Sequence, residues 1–161
     1  MLDNVILWIK DSFIHSMLSG NVFIFPTAET LHFMALTLLF GALLLIDLRG
    51  LGFFKAFSFE SVHKLVPVVL IAFSVNLLTG LVFIFTDPDR YFINIAFQIK
   101  MLLIVIAGLN ALVFEFFVFK PIQQGKTEVA DGMLVKVASA LSILIWTLVL
   151  VGGRMIPYVE Y

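Results

Sequence analysis

Four long apolar runs, residues 27–46, 65–85, 91–119 and 133–151, constrain this chain more than any other feature. A transmembrane helix needs about 20 mostly apolar residues, so the predicted fold is all-α: a polytopic bundle of four membrane-spanning helices. Composition removes the soluble alternative. The chain is 61% hydrophobic and 13% charged, with a mean hydropathy of +1.10, against about 45–50% and about 25% in soluble domains. Too few polar side chains exist to coat a sphere of this size in water, so its partner is a lipid bilayer. Punctuation agrees with the spans. Pro26 opens the first, Asp87-Pro88 offers an N-cap and first helical residue to the third, and Asp131-Gly132 does likewise for the fourth.

Residues 1–20 form a separate preamble before a transmembrane domain at 21–161. They lack the charged start, unbroken apolar core and small-residue cleavage site of a signal peptide. Their apolar residues, among them Val5, Ile6, Trp8, Ile9, Phe13, Ile14 and Met17, instead recur at helical spacing. This predicts an amphipathic helix lying in the membrane interface. Lysine and arginine set the orientation. Arg49, Lys55, Lys64, Lys120, Lys126 and Lys136 fall on one side, and only Lys10, Arg90 and Arg154 on the other. The second side, with both termini, is predicted to face outward, into the periplasm for a protein of a bacterial inner membrane. A net charge of −1 with scattered cations leaves no basic footprint for nucleic acid. The absence of cysteine excludes disulfides, thiolate metal sites and cysteine nucleophiles.

Ionisable groups inside hydrocarbon are costly and usually face a bundle interior, a cavity or a cofactor. Glu29, His32, Asn76, Lys100, Asn110, Glu115 and Arg154 are the candidates. At 1.5 Å of rise per residue, Glu29, His32, Lys100 and Arg154 all reach the outward third of the bundle. At 100° per residue, His32 shares its face with Ala28, Ala35, Leu39 and Ala42, Lys100 with Ala96 and Ala107, Asn76 with Ala72, Thr79 and Gly80, and Arg154 with Thr147, Ala140 and Lys136. Small residues mark where membrane helices pack or leave room for a ligand, so these polar groups are expected to point inward. Asn76, Thr79 and Asn110 are expected as interhelical hydrogen-bond partners, Glu115 as an interfacial charge, and His15 and His63 as solvated.

An imidazole at membrane depth wants a partner or a metal. Haem b fits best: His32 is a ready axial ligand, Lys100, Arg154 and Arg90 lie level with one another to meet the propionates, and Glu29 stands one turn away. The expected role is electron transfer, sensing or haem handling, by a homo-oligomer, since so small a bundle has little room for both a cofactor and a full core. A second histidine within one protomer would have to be His15. Glu29-x-x-His32 has the spacing of half a carboxylate-bridged di-iron site, but only one copy exists. Copper would look to Met34, Met101 and Met155, and rotation turns the first two away from His32 and Lys100. The alternative is a cofactor-free transporter of protons or a small solute, or a structural component. No catalytic triad, carboxylate pair or phosphate loop is present, so an enzyme is not signalled.

The run PTAETLHFMALTLLFGALLLIDLRGLGF at 26–53 resembles the opening of a group of small, uncharacterised four-helix proteins of bacterial inner membranes. These in turn resemble the cytochrome b561 and copper-resistance-D bundles. FQIKMLLIVIAGLNAL at 97–112, LSILIW at 141–146 and GGRMIPY at 152–158 carry the likeness onward. It implies the four-helix architecture and places Glu29, His32, Asp47, Arg49, Lys100, Asn110, Arg154 and Tyr158 on the group's motifs. Likeness to cytochrome b561 implies haem b by analogy of fold. The chain lacks that family's paired histidines, which excludes a two-haem relay.

Overall fold

A computed structural model describes residues 2–159, and all regular structure in them is helical. Two short helices, α1 (Leu2–Lys10) and α2 (Phe13–Ser19), precede the long α3 (Ile24–Gly50). A short α4 (Phe59–His63) leads into α5 (Val66–Thr86), and α6 (Pro88–Ile93) into α7 (Ile95–Phe114). α7 runs on through a π turn (Glu115–Phe119) to α8 (Lys120–Gln123), and a 3-10 turn (Thr127–Asp131) introduces α9 (Met133–Met155). Four stretches are long and apolar enough to cross a membrane: Ile24–Gly50, Phe59–Thr86, Ile95–Gln123 and Met133–Tyr158. They match the four predicted spans and form an all-α bundle. Most of their large apolar side chains, Leu70, Leu78, Leu102 and Leu109 among them, lie exposed on the outside of the bundle, where a bilayer is their solvent.

Two boundaries differ from expectation. The preamble is two helices, because the Ser12 hydroxyl accepts from His15 N–H at 3.1 Å and restarts the helix after Asp11. α1 packs through buried Ile6 and Ile9 with α6 as its neighbour and leaves Trp8 exposed. The third span starts at Ile95 rather than Tyr91. Asn94 is extended and its side chain caps Phe97 N–H at 3.2 Å, which splits α6 from α7. Asp87 caps α6, not the span itself, through Arg90 N–H. At the start of α9 the capping position is held by Gly132, with no side-chain bond.

Asn94 also ties down the segment that follows α9. It is fully buried, and its Nδ2 donates to the carbonyls of Ile156 and Val159, each at 3.0 Å. With α1 against α6 and His15 of α2 bonded to Phe85 O, both ends of the described chain lie at the end of the bundle where α3 begins, here called the His32 end. Losing a cap and two buried hydrogen bonds costs about 2–3 kcal/mol. Asn94→Ala should lower stability by that amount in thermal unfolding in detergent. Asn94→Asp keeps the cap but sets a buried carboxylate oxygen against those two carbonyls, and should cost at least as much.

α3 packs along α5, and α7 along α9, as two antiparallel hairpins. The predicted seam of α3 is the buried one, with Ala28, Ala35, Leu39 and Ala42 inside. The hairpins join most tightly at the opposite, Gly50 end. Ile46, Phe59, Val62, Val118 and Val135 form the main apolar core there. Gly50 of α3 lies so close to α9 that an added Cβ would fall on the Ser139 hydroxyl. Buried Asp47 sits one turn away, beside Ser142. Toward the His32 end the same two helices leave a cavity between them.

Candidate functional site

The cavity has a volume of about 580 Å³ and is walled by α3, α5, α6, α7 and α9. That size falls within the range of about 300–1,000 Å³ typical of small-molecule and cofactor sites. All five residues singled out as cofactor-binding, Glu29, His32, Arg90, Lys100 and Arg154, line it.

His32 comes from the third turn of α3, on the buried alanine seam. Its Nδ1 lies 2.8 Å from Thr79 Oγ1 on α5. The Thr79 hydroxyl has one proton, and it points back along α5 to the carbonyls of Val75 at 2.8 Å and Asn76 at 3.2 Å. A Thr79 hydroxyl that donates to one of these carbonyls accepts from His32, and the imidazole proton then sits on Nδ1. Nε2 then keeps its lone pair and makes no hydrogen bond among the described residues, on a side chain that lines the cavity. Phe83 holds the ring from the side at 5.2 Å and continues an aromatic row to Tyr91 at 6.2 Å, itself 5.4 Å from Phe97. Tyr91 lies just before the third span. Burial raises its phenol above the ordinary value, Arg90 opposing and Asp87 and Glu29 reinforcing, so it remains a neutral donor.

Lys100 reaches the cavity from α7 by lying along α9. Its side chain fills the space left by Gly152 and Gly153: a Cβ on Gly153 would sit 3.2 Å from Nζ, and one on Gly152 3.7 Å from Lys100 Cβ. The glycine pair of the closing motif is thus a groove for a lysine. Arg154 is exposed at the mouth, its Nη2 donating to the Tyr158 hydroxyl at 3.1 Å. Arg90 stands 3.9 Å from Asp87. Three cations facing one lining carboxylate, Glu29, give the cavity a positive balance.

The fourth helix corrects one face assignment. Its buried seam is Val135, Ala138, Ser139, Ser142, Ile145 and Val149, while Thr147, Ala140 and Lys136 are exposed. Arg154 reaches the cavity because it is long and lies at the helix end, not because its Cα faces inward. Asn110 bonds across to α9 as expected, donating to the Ala138 carbonyl at 3.0 Å. Asn76 does not, and donates within its own helix to Ala72. Neither remaining histidine is simply solvated. His15 Nδ1 meets the Phe85 carbonyl at 2.7 Å and His15 is not part of the cavity wall. His63 pairs with Glu115 at 2.9 Å and stacks on Phe119 at the Gly50 end. Arg49 closes the loop after α3 by donating to Phe57 O at 2.6 Å. Met34, Met101 and Met155 are exposed, and none of them lines the cavity. Among the described residues, no three His, Cys, Asp or Glu side chains gather as a metal-binding set.

Thr79 is an interhelical hydrogen-bond partner, as expected, and the partner that sequence reasoning did not name is His32. Thr79→Val keeps the shape but strands Nδ1–H, which costs about 1–3 kcal/mol. A lowered unfolding midpoint with an unchanged helical circular-dichroism spectrum is the expected result.

The model of a family of unknown function (DUF6644) matches residues 5–159 of the chain. No curated protein matches, and no solved structure does. The likeness to cytochrome b561 and copper-resistance-D bundles therefore rests on the motifs alone.

Proposed function

We propose that this chain, which belongs to a family of unknown function (DUF6644), binds haem b in the cavity at the His32 end, with His32 as an axial ligand. One observation carries the reading. The Thr79 hydroxyl holds the imidazole by Nδ1 and leaves the Nε2 lone pair open to a cavity of cofactor size. A ligating histidine is commonly held in this way through its other nitrogen. Lys100, Arg90 and Arg154 supply cations for two propionates, and Glu29 at the rim balances the remaining charge. Phe25, Phe83, Tyr91 and Phe97 give the apolar, aromatic wall that a flat macrocycle needs.

Bound haem supplies an iron for electron transfer or sensing, while the chain supplies ligation, orientation and exclusion of water. His32 is the single histidine on the cavity wall, so the iron takes its second ligand from another residue, from a second copy, or has none. The cavity is open at its flank, and a homo-oligomer would close it. Both ends of the described chain lie at the same end of the bundle as the site, on the side with fewer lysines and arginines. That supports placing the site and both termini at the outer face of a bacterial inner membrane, with α1 and α2 along the interface.

A second reading keeps the cavity and drops the cofactor. Three cations against one carboxylate, with no ion pair from Lys100 among the described residues, suit a small anion in transit. An absorption spectrum separates the two. Protein expressed with ample haem and purified in detergent should show a Soret band at about one haem per chain. A colourless protein would overturn haem binding and leave the transport reading.

A further inference from the structure

α5 and α7 face each other across the bundle but hardly touch. The gap between them is a slot of about 140 Å³ at the depth of the apolar spans, with exposed Leu77, Leu81 and Met101 at its lips. Its wall carries two polar groups that hydrocarbon cannot satisfy. The Lys100 ammonium and the Trp146 indole N–H have no hydrogen-bond acceptor among the described residues. Asn76 also lines the slot, but its amide donates to Ala72 O at 3.0 Å and its Oδ1 is closed off from the slot's interior.

An apolar slot with two free donors in its wall is complementary to one kind of lipid-soluble molecule: a flat ring bearing carbonyl oxygens, on an apolar tail. We infer that the slot binds a membrane quinone, its ring among Phe97 and Trp146, one ring oxygen on Lys100 Nζ, and its tail leaving past Leu77 and Met101 into the bilayer. Asn76 lies ten residues below the end of α5, about 15 Å down the helix. A phosphate headgroup belongs nearer the interface, which favours an uncharged ring. The slot shares His32, Leu36, Gly80, Phe97 and Lys100 with the larger cavity, so the Lys100 ammonium meets a propionate there or a ring oxygen here, and the slot is tested in haem-free protein.

The chain contains its own reporter. Of its two tryptophans, Trp8 lies on the exposed face of α1 and Trp146 in the slot. In haem-free Trp8→Phe protein in detergent, decyl-ubiquinone should quench Trp146 fluorescence saturably. A side chain at Gly80 would enter open space, since an added Cβ meets nothing within 4 Å. Gly80→Leu should therefore fill the slot without disturbing the bundle, and raise the half-saturating quinone concentration at least tenfold. Lys100→Met should do the same by removing a donor, and carries the test if Gly80→Leu does not purify as a single species. Linear, unsaturable quenching, or half-saturation unmoved in both variants, would overturn the inference. So would displacement of the quinone by an equal concentration of short-chain phosphatidylglycerol, which would name a phospholipid as the occupant.

Discussion

Gly50→Val should separate the two hairpins where they are most tightly joined. The Cβ alone would fall on the Ser139 hydroxyl and lie 3.1 Å from Ser139 Cβ and 3.4 Å from Val135 Cγ2. Ser139 and Val135 are both fully buried, so neither has anywhere to go and the helices themselves must part. Overpacking of this kind costs about 1–3 kcal/mol for a few added atoms, occasionally more. The crossing sits beside the main apolar core and beside buried Asp47, which places valine at the upper end, about 3 kcal/mol. The measurement is the unfolding midpoint in detergent, with Gly50→Ala as the milder step. Ser139→Gly removes both atoms that the new Cβ meets first. The double variant Gly50→Ala with Ser139→Gly should recover most of the loss, a non-additivity expected only for residues in contact. If the two losses simply add, the close approach of α3 and α9 at Gly50 is wrong.

How far such a site could be foreseen depends on the range of the interaction. The four spans were legible because hydrocarbon thickness and backbone satisfaction act on every residue of a run, and no tertiary partner can override them. The alanine seam beneath His32 was legible for a similar reason: a regular helix carries its face from Ala28 to Ala42 without error. The same rotation failed on α9. Arg154 is long and lies one residue from the helix end, so its guanidinium and its Cα report different faces, and the true seam ran through Ser139, Ser142 and Val149. The break at Asn94 hid inside an apolar run, although an asparagine before such a run is itself a capping signal. Least legible were the partners set by tertiary contact. Nothing near His32 in sequence points to Thr79, 47 residues away, and nothing near Lys100 explains why Gly152 and Gly153 must be small.

Those distant partners decide how the most informative variant of the site should behave. His32→Ala removes the Nε2 lone pair but strands no hydrogen bond, because the Thr79 hydroxyl keeps its own acceptors, the carbonyls of Val75 and Asn76. His32 is only half-buried and faces the cavity. Stability should therefore change little, while the haem content of the purified protein falls at least tenfold. Thr79→Val should lie between, since loss of a partner that orients a metal ligand typically costs about 10–100-fold in affinity. The alanine variant leaves a hole of imidazole shape beside the remaining cavity wall, so added imidazole should restore part of the Soret band. Restoration at unchanged stability assigns His32 to the iron. A Soret band that survives His32→Ala undiminished would move the ligand elsewhere, and a variant that loses both pigment and fold would make His32 a packing residue bound to Thr79.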